Sequence, residues 1–369
     1  MAELSYHEKQ DIANTKKLRE LLRTLPPFCA EFFRGIEPRT SARTRIAYAY
    51  DLRIFFEFLQ ESNPKLAGMD RKDFTVEVLE QINVFDLEDY MQYLKCHSTE
   101  QRTDMVNHER GIMRKIASLR SFYNYYYRRE RISVNPAAKI ETPKIHEKGI
   151  VRLEVDEMAE LLDLVEIGEN LTKKQRDFHK KTKVRDLALL TLMLGTGIRV
   201  SECVGLNLSD IDFKNSSMKI HRKGGKEVIL YFGDEVEEAL RAYLVERNEI
   251  KAEAGHESAL FLSLQKKRLT VRSVENLVKK YAKLVTPLKP ITPHKLRSTY
   301  GTNLYRETGD IYLVADVLGH NDVNTTKKHY AALEDDRRRS VRNQVTLREN
   351  ASPSLPNPNL SKNNLEAKE

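Results

Sequence analysis

Two arginine-containing segments in the second half of the chain have side chains of a type and spacing suited to binding a phosphate. In TGIRVSECVGL, Arg199 and Glu202 are three residues apart. Thr196 and Gly197 are expected to open a helix there, with Arg199 in its first turn. The carboxylate then lies on the same face as the guanidinium and can hold it in a fixed pose. An ordinary surface ion pair is the alternative interpretation.

The second segment is TPHKLRSTYGTNLY, which has the features of a helix start. Thr292 suits the N-cap, and Pro293 suits the first helical position. His294 and Arg297 are then expected to point the same way. The forked guanidinium can bind two phosphate oxygens, and the imidazole can take up a proton near neutral pH. An exposed helix face is the alternative.

Three further positions supply groups that can donate or lose a proton. Lys223 precedes a Gly-Gly pair between two alternating runs, which indicates a tight hairpin. A lysine there usually serves solubility, but its ammonium group can also act as an acid. His320 follows a glycine that is expected to end a helix, and Tyr330 lies in a helix for which Asn324 is the expected cap.

In this order and spacing, the residues resemble the catalytic signature of the tyrosine recombinases, the family of the phage integrases and the Xer-type chromosome recombinases. The resemblance is strongest over about residues 185–332 and weaker over 41–130, and no catalytic position departs from the pattern. The sequence motifs GTGIRVSE, HRKGGKE, PHKLRST and LGH are most similar to those of the Xer branch. The positions that carry the signature are Arg199, Lys223, His294, Arg297, His320 and Tyr330.

The resemblance implies that Tyr330 attacks a DNA phosphodiester, forms a 3′-phosphotyrosine and releases a 5′-hydroxyl. The covalent intermediate conserves the bond energy, and two arginines can replace a metal ion in neutralising the phosphate. Neither ATP nor another cofactor nor a metal ion is therefore expected. The implied roles are as follows: Arg199 and Arg297 bind the phosphate, His294 acts as base, Lys223 protonates the leaving oxygen, His320 donates a further hydrogen bond, and Glu202 orients Arg199 or His294.

The elements needed to position these groups predict a mainly α fold. Apolar spacing predicts an all-helical N-terminal domain, followed by a mixed α/β domain with a small antiparallel sheet. The resemblance implies that the first is the core DNA-binding domain and the second the catalytic domain. The only clear strands are the runs 218–223 and 226–232, and Gly195 is expected to end the helix before Arg199. The expected divisions are an N-terminal extension (1–38), the helical domain (39–140), a linker (141–150), the catalytic domain (151–345) and a disordered tail (346–369).

The charge distribution favours a polyanionic partner. The chain of 369 residues carries 62 Lys and Arg against 54 Asp and Glu, and residues 101–150 hold eleven of the former against five of the latter. Tyrosines interleave with the basic residues of this stretch, although a solvated helix face would look the same. The predicted contacts to double-stranded DNA are Arg43, Arg45, Arg114, Lys115, Arg120, Lys266, Lys267 and Arg272.

Other classes of protein find little support. The three cysteines form no CxxC pair, which argues against a metal site or a disulfide framework. The N-terminus lacks the apolar core of a signal peptide, and the longest apolar run, LALLTLML, is too short to cross a membrane. A cytoplasmic protein with no membrane partner is therefore expected.

Several alternatives remain open within this interpretation. A type IB topoisomerase shares the chemistry, and a DNA-binding regulator could descend from such an enzyme. Among recombinases, the Xer-like motifs favour resolution of chromosome dimers. Because of the N-terminal extension of about forty residues, an integrase of a transposon, plasmid or phage remains an alternative. The resemblance implies a homotetramer on two DNA duplexes and a Holliday junction. It leaves open an accessory motor or a partner recombinase.

Overall fold

The computed structural model describes residues 4–99, 102–144, 151–222 and 226–319. The chain divides into two compact units, Met1–Lys148 and Gly149–Glu369. Both units are mainly helical, and each contains a small antiparallel sheet. Within the described ranges, none of the helices combines the length and the apolar character that crossing a membrane requires.

The first unit is a helical cluster around an aromatic core. Its helices are α1 (Tyr6–Leu22), α2 (Cys29–Ile36), α3 (Ala42–Ser62), α4 (Val84–Lys95) and α5 (Glu109–Tyr127). Helix α1 begins with a capping box, because Ser5 accepts from the backbone of Glu8 and the Glu8 carboxylate accepts from the backbone of Ser5. The segment predicted as an N-terminal extension therefore contains α1 and α2, which pack against α3 and α5.

One side of the tyrosine-rich segment of α5 packs into the core of the first unit. Phe122, Tyr123 and Tyr126 are fully buried, and Phe122 contacts Phe32 of α2 and Phe56 of α3 edge to face. These rings join elements from three parts of the sequence. The tyrosine stretch is therefore at least half core rather than a continuous recognition surface.

The first unit also contains a two-stranded antiparallel hairpin, β1 (Cys96–Thr99) and β2 (Arg102–Val106). The sequence predicts an all-helical domain, and this detail is wrong. The strands are short, and their residues lack the regular alternation that marks longer strands. Helix α2 was likewise not predicted.

The second unit is built around helix α8 (Lys183–Thr196). Its residues Leu189, Leu190, Leu192 and Met193 are fully buried, because α6, α10 and α12 all pack on α8. The other helices of the described part of this unit are α6 (Val155–Ile167), α7 (Lys173–His179), α9 (Val200–Gly205), α10 (Asp234–Glu249), α11 (Val271–Val285), α12 (Pro293–Thr308) and α13 (Ile311–Leu318).

The sheet of the second unit has three antiparallel strands in the order β3 (Ile211–Asp212), β4 (Ser217–His221) and β5 (Glu227–Tyr231). The predicted hairpin is thus present, with Met218 opposite Leu230 and Ile220 opposite Val228. Beyond the strands, the backbone N–H of Arg222 donates to the carbonyl of Lys226 at 2.8 Å. This bond encloses positions 223–225, which lie outside the described residues.

The turn between α8 and α9 differs from the prediction. Thr196 ends α8 rather than opening the next helix, and Gly197, with φ +61°, is the left-handed cap that was assigned to Gly195. Arg199 is the N-cap of α9, one position before the predicted first turn. The pattern TLMLGTG contains two glycines, and apolar periodicity does not distinguish which one ends the helix.

Candidate active site

Glu202 fixes Arg199 in position at the start of α9. One carboxylate oxygen accepts from the Arg199 backbone N–H at 3.0 Å, and the other accepts from Nη1 of its guanidinium at 2.8 Å. The Glu202 side chain is only 5% exposed, whereas that of Arg199 is 36% exposed. A buried carboxylate therefore anchors a guanidinium that still faces solvent. Two hydrogen bonds to one carboxylate hold the Arg199 backbone and guanidinium in a single orientation.

Arg297 lies on α12 and is buried. Its Nη1 donates to the carbonyl of Gly197, just before Arg199, and its Nη2 donates to the carbonyl of Leu318 at the end of α13. The side chain therefore ties three chain segments together. Pro293 occupies the first turn of α12 as predicted, but the Thr292 N-cap makes no side-chain capping bond.

His294 is in the first turn of α12 and is exposed, whereas Arg297 one turn later is buried. The two side chains share the N-terminal part of the helix, as the spacing predicts. They differ in exposure, because Arg297 points toward α13 and the α8–α9 turn.

The C-terminal end of α13 is the point at which these elements meet. Gly319 caps the helix in the left-handed conformation with φ +59°, as predicted. Its carbonyl accepts from Nη2 of Arg199 at 2.8 Å, and the preceding carbonyl of Leu318 accepts from Arg297. Because the end of a helix carries partial negative charge, two cations here are electrostatically favourable. Two arginines that are far apart in sequence thus lie at neighbouring peptide groups.

A third arginine, Arg222, reaches the same helix end and was not predicted from the sequence. Its Nη2 donates to the carbonyl of Val317 at 3.1 Å, and its Nε lies 4.0 Å from Oε1 of Glu202. Burial lowers the pKa of this guanidinium, while Glu202 opposes that effect. The only sequence signal was its position next to Lys223, because the contact joins residues 95 positions apart.

The other predicted catalytic residues lie outside the described part of the chain: Lys223, His320 and Tyr330. Two of them are sequence neighbours of described residues. In the sequence, Lys223 follows Arg222 and His320 follows Gly319. Among the described residues, no three His, Cys, Asp or Glu side chains come together as a metal ion would require.

The residues predicted to contact DNA have different surroundings. Arg43, Lys266, Lys267 and Arg272 are exposed, and Arg272 forms a surface ion pair with Glu275 at 3.2 Å.

In contrast, four predicted DNA contacts have partners inside the first unit. Arg114 makes a two-pronged ion pair with Asp51 at 2.6 and 2.7 Å, and Lys115 is buried with Nζ 2.7 Å from the side-chain oxygen of Asn107. Arg45 pairs with Glu37 at 2.5 Å. The Arg120 guanidinium donates to two main-chain carbonyls, at positions 137 and 140. A count of basic residues does not reveal such internal pairing.

Comparison with known proteins identifies the family. The model of the phage integrase family matches residues 152–337. The tyrosine recombinase XerC of Caldanaerobacter subterraneus subsp. tengcongensis is 34% identical over 334 residues, which cover 87% of either chain. The tyrosine recombinase XerD of Oceanobacillus iheyensis is 33% identical over 259 residues, or 66% of this chain and 83% of that protein.

Solved structures show the same fold. The XerH site-specific recombinase in its post-cleavage complex with palindromic difH substrate superposes with a TM-score of 0.62 at 17% identity, covering 82% of this chain and 80% of that chain. The Tn1549 transposon integrase in complex with circular intermediate DNA gives a TM-score of 0.59 at 20% identity, covering 85% and 98%. With the family match over the catalytic half and the relatives over most of its length, the chain belongs to the phage integrase family of tyrosine recombinases, enzymes that cleave and rejoin DNA strands.

Proposed function

We propose that this protein recombines DNA at a specific site, with Tyr330 as the nucleophile that forms a 3′-phosphotyrosine. The observation that carries the proposal is the convergence of Arg199 and Arg297 on adjacent carbonyls at the end of α13. This arrangement places two permanent positive charges together, one residue before His320. A phosphodiester in attack by a phenol needs such charges at its non-bridging oxygens.

The arginines fit this role because of their donor geometry. A guanidinium carries five N–H groups, and the two nitrogens of Arg199 that bond to Glu202 and Gly319 each carry two of them. The Arg199 side chain is 36% exposed, so an anion can approach it from solvent. Arg297 is buried, so its guanidinium would bind the phosphate in a fixed orientation.

Proton transfer completes the proposed chemistry. The phenol of Tyr330 has an ordinary pKa of about 10, so His294 removes its proton as the oxygen bonds to phosphorus. Lys223 donates a proton to the leaving 5′-oxygen, and His320 donates a hydrogen bond to the phosphate. The second half of the reaction reverses these transfers when another 5′-hydroxyl attacks the phosphotyrosine.

Contacts with the DNA backbone would come from the exposed cations Arg43, Lys266, Lys267 and Arg272. The XerH and Tn1549 structures were solved with DNA bound, which supports a DNA duplex as the partner of this chain. Because phosphate contacts release counterions, binding should weaken steeply as salt rises.

The proposal is tested by trapping the protein on nicked DNA fragments from the source genome and sequencing the fragments that become covalently attached. We expect Tyr330→Phe to retain DNA binding and to lose every adduct. A regulator without catalysis would form no adduct even as wild type. A type IB topoisomerase would attach without site preference and relax supercoiled DNA without synapsis.

The biological role we propose is resolution of chromosome dimers, because the curated relatives over most of the chain bear the name XerC. The recovered DNA discriminates this role from that of a mobile-element integrase. A single site in the chromosome supports the Xer-like role, whereas sites at the ends of a transposon, plasmid or phage support the alternative. The Tn1549 transposon integrase shares the fold, so the fold is compatible with both roles.

We further propose a homotetramer on two duplexes that exchanges strands through a Holliday junction, with or without an accessory motor or partner recombinase. The segment 333–345 is the proposed contact between subunits. Truncation after Leu333 should leave DNA binding intact and impair synapsis. Strand cleavage should also survive EDTA, since no metal ion takes part in the proposed steps.

A further inference from the structure

Three arginines from three separate elements donate to three consecutive carbonyls at the end of α13. Arg222 bonds to Val317, Arg297 to Leu318, and Arg199 to Gly319. Two of them are the predicted phosphate ligands. The third, Arg222, has no part in the chemistry described above, and its surroundings suggest one.

Arg222 connects the hairpin to α13. Its backbone N–H closes the base of the β4–β5 turn by donating to the carbonyl of Lys226 at 2.8 Å. Its side chain leaves the hairpin and ends on Val317, with only 15% of its surface exposed. The residue that precedes Lys223 is therefore bonded to the segment that precedes His320.

The packing around the guanidinium is close and specific. A Cβ atom placed on Gly319 would lie 2.1 Å from Nη1 of Arg222 and 2.3 Å from its Cζ. The flat guanidinium thus lies directly over the glycine, where a bulkier residue would displace it. Glu202 is 4.0 Å from Nε on another side, and the same oxygen of Glu202 binds Arg199 at 2.8 Å. One buried carboxylate therefore lies between the hairpin arginine and a predicted phosphate ligand.

We propose that Arg222 is a positioning residue for strand cleavage, which holds the base of the β4–β5 hairpin against the end of α13 so that Lys223 reaches the leaving oxygen of the phosphate bound by Arg199 and Arg297. The inference rests on the proposed function, specifically on Lys223 as the acid. Arg222 itself touches protein groups in the structure and acts through its neighbour.

The chemistry of the leaving group provides a test that a purely structural role would not pass. In cleavage, the bond from the Tyr330 oxygen to phosphorus forms, the bond from phosphorus to the 5′-oxygen breaks, and Lys223 gives that oxygen its proton. If sulfur replaces the bridging 5′-oxygen, the leaving group is a thiolate, whose acid has a pKa of only about 8.5. Such a leaving group departs without a proton donor. A defect in acid positioning should therefore disappear on the sulfur substrate.

The experiment measures single-turnover cleavage by the full-length protein on two nicked substrates that differ only in oxygen or sulfur at the bridging position. We expect Arg222→Gln to slow cleavage of the oxygen substrate roughly tenfold to hundredfold, a part of what a general acid contributes, and to cleave the sulfur substrate within about threefold of wild type. The cleavage rate of Arg222→Lys on the oxygen substrate should lie between those of wild type and Arg222→Gln. One ammonium can reach Val317 but not Glu202 at the same time.

Matched variants keep the result interpretable. Arg241→Gln removes another arginine of the second unit, which pairs with Glu237 at 2.8 Å and lies over the Phe213 ring, and should change neither rate. Equal thermal melting of Arg222→Gln and Arg241→Gln would show that the fold is retained. DNA affinity should be the same for wild type, Arg222→Gln and Arg241→Gln.

Two contrary results have different meanings. If Lys223→Met is rescued by sulfur but Arg222→Gln is slow on both substrates, or is as fast as wild type on both, the role of Arg222 is overturned and the proposed function stands. If Lys223→Met is equally slow on both substrates, Lys223 is not the acid, and the inference falls together with that part of the proposed function.

Discussion

Replacement of Glu202 by Gln is the change that most directly connects the local structure to the proposed chemistry. The substitution keeps the shape of the side chain and removes its charge. At present the two carboxylate oxygens accept from the backbone and from the guanidinium of Arg199 at 3.0 and 2.8 Å. A glutamine has one oxygen and one N–H₂ group. Either the backbone N–H or the guanidinium of Arg199 would therefore face the N–H₂ group, which is itself a donor.

The expected magnitude follows from the bonds that are lost. A hydrogen bond to a charged group contributes about 1.5–3 kcal/mol, and the Glu202 side chain is 5% exposed, so water does not replace it. We therefore expect a loss of about 2 kcal/mol in the free energy of unfolding of the second unit, or roughly 4–8 °C in its melting temperature. Cleavage should fall roughly tenfold to hundredfold, somewhat less than the effect of deleting a donor to a developing oxyanion.

The measurement combines thermal melting with single-turnover cleavage of nicked DNA. Glu157→Gln is the matched control, because Glu157 also caps its helix and binds a cation, with Lys289 Nζ at 2.6 Å from both oxygens. The control should lose stability and keep its cleavage rate once it is folded. If Glu202→Gln cleaved DNA as fast as Glu157→Gln at a temperature where both are folded, Glu202 would not position Arg199 for the reaction.

Two other predictions concern the first unit. Arg114→Met should lower the free energy of unfolding by about 3 kcal/mol, because it removes the ion-pair partner of the buried Asp51 carboxylate. Chemical denaturation measures this loss. A loss no larger than that caused by Arg110→Met, at an exposed position, would contradict the prediction. Burial, with repulsion from Lys115, lowers the pKa of His97. Its contribution to stability is therefore complete above the unfolded value of about 6.5 and is lost as the pH falls below it. Denaturation midpoints should fall less between pH 7.5 and 5.5 for His97→Gln than for wild type, whereas an equal fall would refute the assignment.

Local signals were sufficient for much of the fold. The start of α12 at Pro293 and the end of α13 at Gly319 follow from helix-end signals, and the β4–β5 hairpin follows from alternation around Gly-Gly. The fold class and the family were also predicted, because the motif residues keep a fixed order along the chain. The β1–β2 hairpin and the short helices α2 and α7 were missed, since a few residues with weak periodicity are held mainly by tertiary contacts.

The site was less accessible to prediction wherever a contact joins distant residues. The pairing of Glu202 with Arg199 spans three positions and was predicted. Arg222 and Val317 are separated by 95 positions, and Arg114 and Asp51 by 63. A basic residue that binds DNA and one that neutralises a buried carboxylate look the same in a sequence, because the difference lies in which groups the fold places beside them.

The central claim is that Tyr330 forms the covalent bond to DNA. The most direct measurement is to trap the wild-type protein on a nicked fragment that carries its site, digest the adduct with protease and nuclease, and sequence the modified peptide by mass spectrometry. We predict one modified peptide, with the remaining nucleotide joined through its 3′-phosphate to Tyr330. A nucleotide on any other residue, or a Tyr330→Phe protein that still forms the adduct, would contradict the proposed mechanism.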